Sequence, residues 1–204
     1  MDPDEARRIA ERQRACFNRA VEVFDVPQPP EVLDRLREVV AAAGIAPGEI
    51  VLDVGTGVGV LIPLIRAYRP GRIIACDLAE GMLERVAAKY PEVECHRADI
   101  AHLAFPDASV HVVFMNAMYG NIADKPGAHR NVARMLGPGG RLVVSHPEGR
   151  AFVDRLRAAS DLFIEPYPAR EEFEAALGPH GIRVVRFRDE ATLYLMVASK
   201  VPAA

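Results

Sequence analysis

Tryptophan is absent, lysine occurs only at Lys89, Lys125 and Lys200, and cysteine only at Cys16, Cys76 and Cys95. Three cysteines, far apart and without CxxC spacing, argue against a disulfide framework or a zinc site. No apolar run reaches the length of a membrane span, and the N-terminal stretch MDPDEARRIAERQR is charged, with no apolar signal core. A net charge of −3 and a pI near 6.1 leave no basic field to hold a long nucleic acid by its phosphates. Basic residues are interspersed with acids, the pattern of a solvated surface. These absences predict a soluble, reducing, cytoplasmic setting, with no metal, no nucleic-acid partner and no membrane partner.

What is present suits one domain with a real core: 204 residues, 50% of them hydrophobic. Apolar residues recur at helical spacing from Pro3 to Phe24, DVPQPP interrupts them, and PEVLDRLREVVAAAG forms a second amphipathic stretch ending at Gly44. An alternation follows. Strands are predicted at 50–54, 72–77, 93–96, 110–115 and 140–145, and helices near 58–68, 79–89, 125–136 and 170–179. IRVVRF and TLYLMVAS then read as an antiparallel pair finishing the sheet. The expected fold is α/β and Rossmann-like: a seven-stranded, mostly parallel sheet with an antiparallel C-terminal strand, preceded by N-terminal helices. Residues 1–204 are read as a single domain, with 1–44 as N-terminal helices and 45–204 as the core.

The stretch VLDVGTGVGV, residues 51–60, ends a strand in an acid and follows it with Gly55, Gly57 and Gly59. Val60 takes the place of the last glycine of a dinucleotide fingerprint. Asp77 ends the next strand, where a carboxylate can accept from two ribose hydroxyls. Asp99 follows the third, where it can accept from an adenine amino group. Four segments, VLDVGTGVGV, ACDLAEGML, ADIAHLAFPDASVHVVF and MLGPGGRLVVSHP, stand in an order and at a spacing that resemble the class I S-adenosylmethionine-dependent methyltransferases. The resemblance covers about residues 45–150. It departs from the family where His111 replaces an acid just inside the fourth strand.

The resemblance implies S-adenosyl-L-methionine as the cofactor and S-adenosyl-L-homocysteine as its product. Asp53, Gly55, Thr56, Gly57, Gly59, Asp77, Leu78, Met82, Asp99, Ile100 and Asn116 are the candidate cofactor-binding residues. Gly55 and Gly57 let the backbone approach the methionine part without a Cβ in the way. Asp53 orders that loop and meets the ammonium directly or through water. Leu78, Met82 and Ile100 either sandwich the adenine or are ordinary core. The resemblance also implies that the N-terminal helices, residues 1–44, form a lid, in which Phe17 and Phe24 either cover the cofactor or merely dock the first helix.

Methyl transfer is an in-line displacement, so the protein aligns donor and acceptor and excludes water. Ligands of open α/β sheets lie beyond the carboxyl ends of the strands, which places NAMYGN and SHPEGR at the acceptor. Asn116 and Tyr119 share the separation of Asn and Tyr in the NPPY motif of amine-directed methyltransferases, with Ala117 and Met118 in place of both prolines. They are candidate catalytic residues lining the cleft, or else a turn former and a packing residue. His146 is the candidate general base, or else a turn histidine ahead of Pro147. His129 is expected to face solvent. A small, partly apolar acceptor is expected, methylated at oxygen or carbon before nitrogen, with the oligomeric state open. The alternatives are a non-catalytic S-adenosylmethionine-binding sensor or accessory subunit and, further off, a nucleotide-dependent oxidoreductase. An arsenite methyltransferase is disfavoured because Cys76 and Cys95 lie in strands, not at the acceptor.

Overall fold

The computed structural model describes residues 2–202. Its sheet has seven strands in the order β3-β2-β1-β4-β5-β7-β6. These are β1 (Ile50–Val54), β2 (Arg72–Asp77), β3 (Glu94–Arg97), β4 (Val110–Asn116), β5 (Leu136–His146), β6 (Ile182–Asp189) and β7 (Tyr194–Lys200). The first five run parallel, and β7 is antiparallel to both β5 and β6.

Successive side chains of a strand point to opposite faces, and here both faces are covered. Leu52, Val113 and Val144 face one core layer, which is closed by Val132 of α6 (Lys125–Met135) and Phe173 of α8 (Arg170–Leu177). Val51, Val112 and Val143 face the other. That layer is closed by Leu36 of α3 (Pro30–Ala42), Ile65 of α4 (Ile62–Arg66) and Val86 of α5 (Glu80–Lys89). Burial on both sides is why the central strands are almost uninterrupted apolar runs.

The expected helices and strands agree with the structure to within two residues except at four places. Residues 58–61 are turns, so the expected helix 58–68 shortens to α4. β5 begins at Leu136, which pairs with Val110 before the register shifts to Val112–Arg141. A helix not foreseen, α7 (Gly149–Ala159), follows β5. The first helical stretch is two helices, α1 (Pro3–Arg19) and α2 (Val21–Phe24), broken at Ala20. His111, standing where an acid was expected, accepts a 3.0 Å bond at Nδ1 from the backbone N–H of Ile50, so the start of β1 keeps an acceptor. None of the described helices is long and apolar enough to cross a membrane.

The N-terminal helices lie over the carboxyl edge and are fastened to α5. Glu80 accepts from Arg14 at 2.7 Å, Asn18 at 2.8 Å and Arg97 at 2.6 Å, and Asn18 Oδ1 in turn accepts from the Gly81 N–H at 2.9 Å. These donors hold the Glu80 carboxyl well below its usual range, Arg14 first. Further along, Asp25 pairs with Arg85 and Lys89. Glu80→Ala should therefore loosen α1 and α2 without unfolding the sheet. Limited proteolysis should show faster cleavage within residues 20–29 with the main thermal transition retained. Unchanged cleavage would show that packing alone holds these helices.

Candidate active site

A cavity of about 180 Å³ opens beyond the carboxyl ends of β1, β2 and β4. Its floor is the turn after β1. There the N–H groups of Gly55 and Thr56 both donate to Cys76 O, at 2.7 and 3.1 Å, and the Gly57 N–H donates to Asp77 Oδ2 at 2.9 Å. The other Asp77 oxygen accepts from the Ala79 N–H at 2.9 Å. Gly57 has φ +54°, and a Cβ there would project into open space. A ligand can thus lie directly on this backbone.

Of the residues expected at the cofactor, Asp53, Gly55, Thr56, Gly57, Asp77, Leu78, Met82, Asp99, Ile100 and Asn116 all line the cavity. Gly59 does not. A Cβ on Gly59 would stand 2.7 Å from Ile62 Cδ1 and 3.3 Å from Val86, so this glycine serves helix packing at φ +85°. Phe17 and Phe24, with ring centroids 6.0 Å apart, supply part of the cavity's cover.

The two expected catalytic rings lie elsewhere. Tyr119 is buried in the core, its hydroxyl 2.9 Å from His129 Nε2, and its ring packs on Tyr167 and Phe173. His129 is therefore buried rather than solvent-facing, and burial lowers its pKa to about 4. His146 packs against Phe152 and Tyr167, accepts a 3.2 Å bond at Nδ1 from the Glu148 N–H, and is likewise pushed by burial to about 4. Neither Tyr119 nor His146 reaches the cavity. Each sits near the end of a strand, but its side chain turns into the core instead of toward the opening.

Further contributors were not singled out in the sequence. Met118 lines the cavity above Gly55, where an added Cβ would stand 2.6 Å from Met118 Cγ. Gln13 and Asn121 also line it, and both donate to Phe163 O, at 2.9 and 3.4 Å. Ser145 holds Asn116, Oγ to Oδ1 at 2.9 Å. A glutamine on the otherwise apolar face of α1 was the one readable signal. Among the described residues no three His, Cys, Asp or Glu converge on a metal position.

Residues 52–144 match the family model described as a methyltransferase domain. The chain carries a class I S-adenosylmethionine-dependent methyltransferase domain. It is 35% identical over 150 residues to a malonyl-[acyl-carrier protein] O-methyltransferase of Halorhodospira halophila, covering 70% of this chain and 50% of that protein. It is 36% identical over 119 residues to a demethylmenaquinone methyltransferase of a Mycobacterium species, covering 57% and 50%. A solved S-adenosylmethionine-dependent methyltransferase of Aquifex aeolicus shares the fold, with a TM-score of 0.71 and 21% identity over 90% of this chain and 98% of that one. The chain spans about half the length of the curated relatives it matches.

The methyltransferase cavity fits an S-adenosyl ligand on its own geometry. Gly57 leaves a backbone cradle, and Asp77 and Asp99 offer carboxylates on adjacent strand ends. One Asp99 oxygen accepts from the Ala101 N–H at 2.9 Å, which aims the group. Asp53 is buried, and burial raises its pKa to about 7; the Thr56 hydroxyl at 2.8 Å opposes the shift and the Asp77 charge adds to it. Burial raises Asp77 as well, against three backbone N–H donors. Two desolvated carboxyl groups side by side favour a cationic ligand.

This gives a pH signature. Between the ordinary aspartate pKa of 3.8 and about 7, the folded chain holds a proton on Asp53 that the unfolded chain has lost. Stability from this group is therefore lost as pH rises, by at most on the order of 4 kcal/mol. Buried His129 and His146 push the other way between about 4 and 6.5. The difference between wild type and Asp53→Asn isolates the aspartate. Denaturant unfolding should show Asp53→Asn gaining on wild type from pH 5 to pH 7.5. A pH-independent difference would mean that Asp53 does not hold the proton.

Proposed function

We propose that the chain transfers a methyl group from S-adenosyl-L-methionine, by in-line displacement, to a small, partly apolar acceptor, at oxygen or carbon in preference to nitrogen. The observation that carries this reading is the continuous cavity that runs from the Gly57 cradle and Asp77 to the apolar cover of Phe17 and Phe24. When bound, the cofactor supplies an activated methyl on a sulfonium. Asp77 takes the ribose hydroxyls, Asp99 the adenine amino group and Asp53 the ammonium, directly or through water. Leu78, Met82 and Ile100 give the ring an apolar slot. Residues 1–44 act as the lid of a single domain with 45–204 as its core: Phe17 and Phe24 exclude water, and aromatic faces near a sulfonium favour its charge.

With Tyr119 and His146 outside the cavity, alignment and desolvation carry the catalysis, without either ring as a base. Relatives named for malonyl-[acyl-carrier protein] O-methylation and for demethylmenaquinone methylation support a metabolite-type acceptor. S-adenosyl-L-homocysteine at a hundredfold excess over its Kd should stabilise the fold by about 2.7 kcal/mol, roughly 5–10 °C in melting temperature. Asp77→Ala should abolish most of that rise. A melting temperature indifferent to the ligand would refute the reading.

A further inference from the structure

The side chains of Asn116 and Ser145 are paired at the edge of the cavity. Asn116 ends β4, Ser145 is its register partner on β5, and Asn116 lines the cavity while Ser145 is fully buried. Among the described residues, the only hydrogen bond of Ser145 Oγ is to Asn116 Oδ1, at 2.9 Å. A buried hydroxyl must place its proton. If Asn116 were turned over, its NH₂ would donate to Ser145, and the serine proton would be left without an acceptor in the interior. That arrangement keeps one hydrogen bond but leaves a buried donor unsatisfied. The network therefore sets the amide: Ser145 donates, Asn116 Oδ1 accepts, and Asn116 Nδ2 is the end left for the cavity. The turn that follows is held in the same frame. The Ala117 N–H donates to Ser145 O at 2.7 Å, with Ala117 at the unusual φ of +56°.

We propose that Asn116 is a hydrogen-bond donor to the methyl acceptor, that Ser145 is the positioning residue that makes it one, and that the acceptor is an oxyanion, such as a phenolate, enolate or carboxylate, rather than an amine. The inference rests on the methyl-transfer reading of this cavity. An amine needs an acceptor for its own N–H, and with Asn116 Oδ1 turned to the buried Ser145 the amide presents Nδ2, a donor, to the cavity. An oxyanion needs a donor, which Nδ2 supplies. The chemistry also balances without a base. A lone pair of the anion, on oxygen or on the enolate carbon, forms the new bond to the methyl carbon. The carbon–sulfur bond breaks with its electron pair going to sulfur, and anion and sulfonium become two uncharged centres. For an oxygen acceptor there is no proton left to remove. This agrees with a cavity whose titratable lining is Asp53, Asp77 and Asp99 at the cofactor end, with His146 and Tyr119 turned away into the core.

The test uses two probes of one shape, 4-nitrophenolate and 4-nitroaniline, titrated at pH 8 into the full chain saturated with S-adenosyl-L-homocysteine. The side-chain NH₂ signals of Asn116 are followed by ¹⁵N NMR. The phenolate should move those signals and bind about 10- to 100-fold tighter than the aniline, the range of a hydrogen bond to a charged group. Asn116→Asp, which replaces the donor by a carboxylate, should remove that preference. Ser145→Ala frees the amide and should reduce it with homocysteine-product affinity unchanged, and Ser145→Thr, which keeps the hydroxyl, should restore it. Equal binding of the two probes, tighter binding of the aniline, an unmoved Asn116 signal, or a preference that survives Ser145→Ala would each overturn the proposal. Failure of S-adenosyl-L-homocysteine itself to bind would count against the methyl-transfer reading. The same probes added to the ligand-free protein would still read the direction of the amide.

Discussion

The Asp77 carboxylate is the joint on which the site is built. One oxygen takes the Gly57 N–H from the turn after β1, and the other takes the Ala79 N–H at the N-cap of α5. Two neighbouring strand ends are thereby locked to one side chain. With Gly55 and Thr56 both donating to Cys76 O, the glycine turn has little freedom left. The cavity floor is preorganised before any ligand arrives, and the energetic cost is a buried, desolvated acid beside a second one at Asp53. Electrostatic strain of this kind at a concave site suits a ligand that brings positive charge.

The sheet was legible because parallel strands buried on both faces leave an unmistakable trace: IVLDV, RIIACD and VHVVFM are apolar almost throughout. The glycine turn and the acids after β1, β2 and β3 were legible because each stands where a strand ends. α7 was missed because GRAFVDRLRAA follows a turn-like SHPEG and buries only Gly149 and Val153. β5 ran longer than expected because its first residues, LGPGG, look like a turn while the register shift lets Leu136 pair with Val110.

The misread side chains share one cause. Strand order tells which loops surround an opening, but not which way a ring points once the chain leaves the strand. Tyr119 lies three residues past Asn116, in a 3-10 turn that swings its ring down onto Phe173 and its hydroxyl onto His129. His129, flanked by Ala128 and Arg130, carries no local mark of burial; only the tertiary bond to Tyr119 explains it. His146 is drawn into an aromatic group with Phe152 and Tyr167. Ser145 looked like one more strand residue, and its role appears only when its partner on β4 is known.

The N-terminal helices complete the division of labour. Polar contacts to Glu80 and the hydrogen bond that the Gln13 amide donates to Phe163 O hold a cover of Phe17 and Phe24 above the carboxyl edge. The fold thus sets the glycine turn, Asp77 and Asp99 beneath an apolar roof of Phe17 and Phe24. The most direct test of this account is a crystal structure of the protein grown with S-adenosyl-L-homocysteine. The account predicts ligand density on the Gly57 cradle, with the ribose hydroxyls on Asp77, the adenine amino group toward Asp99 and the thioether sulfur facing Asn116. Ligand bound anywhere else on the molecule, or bound in this cavity with the ribose away from Asp77, would contradict it.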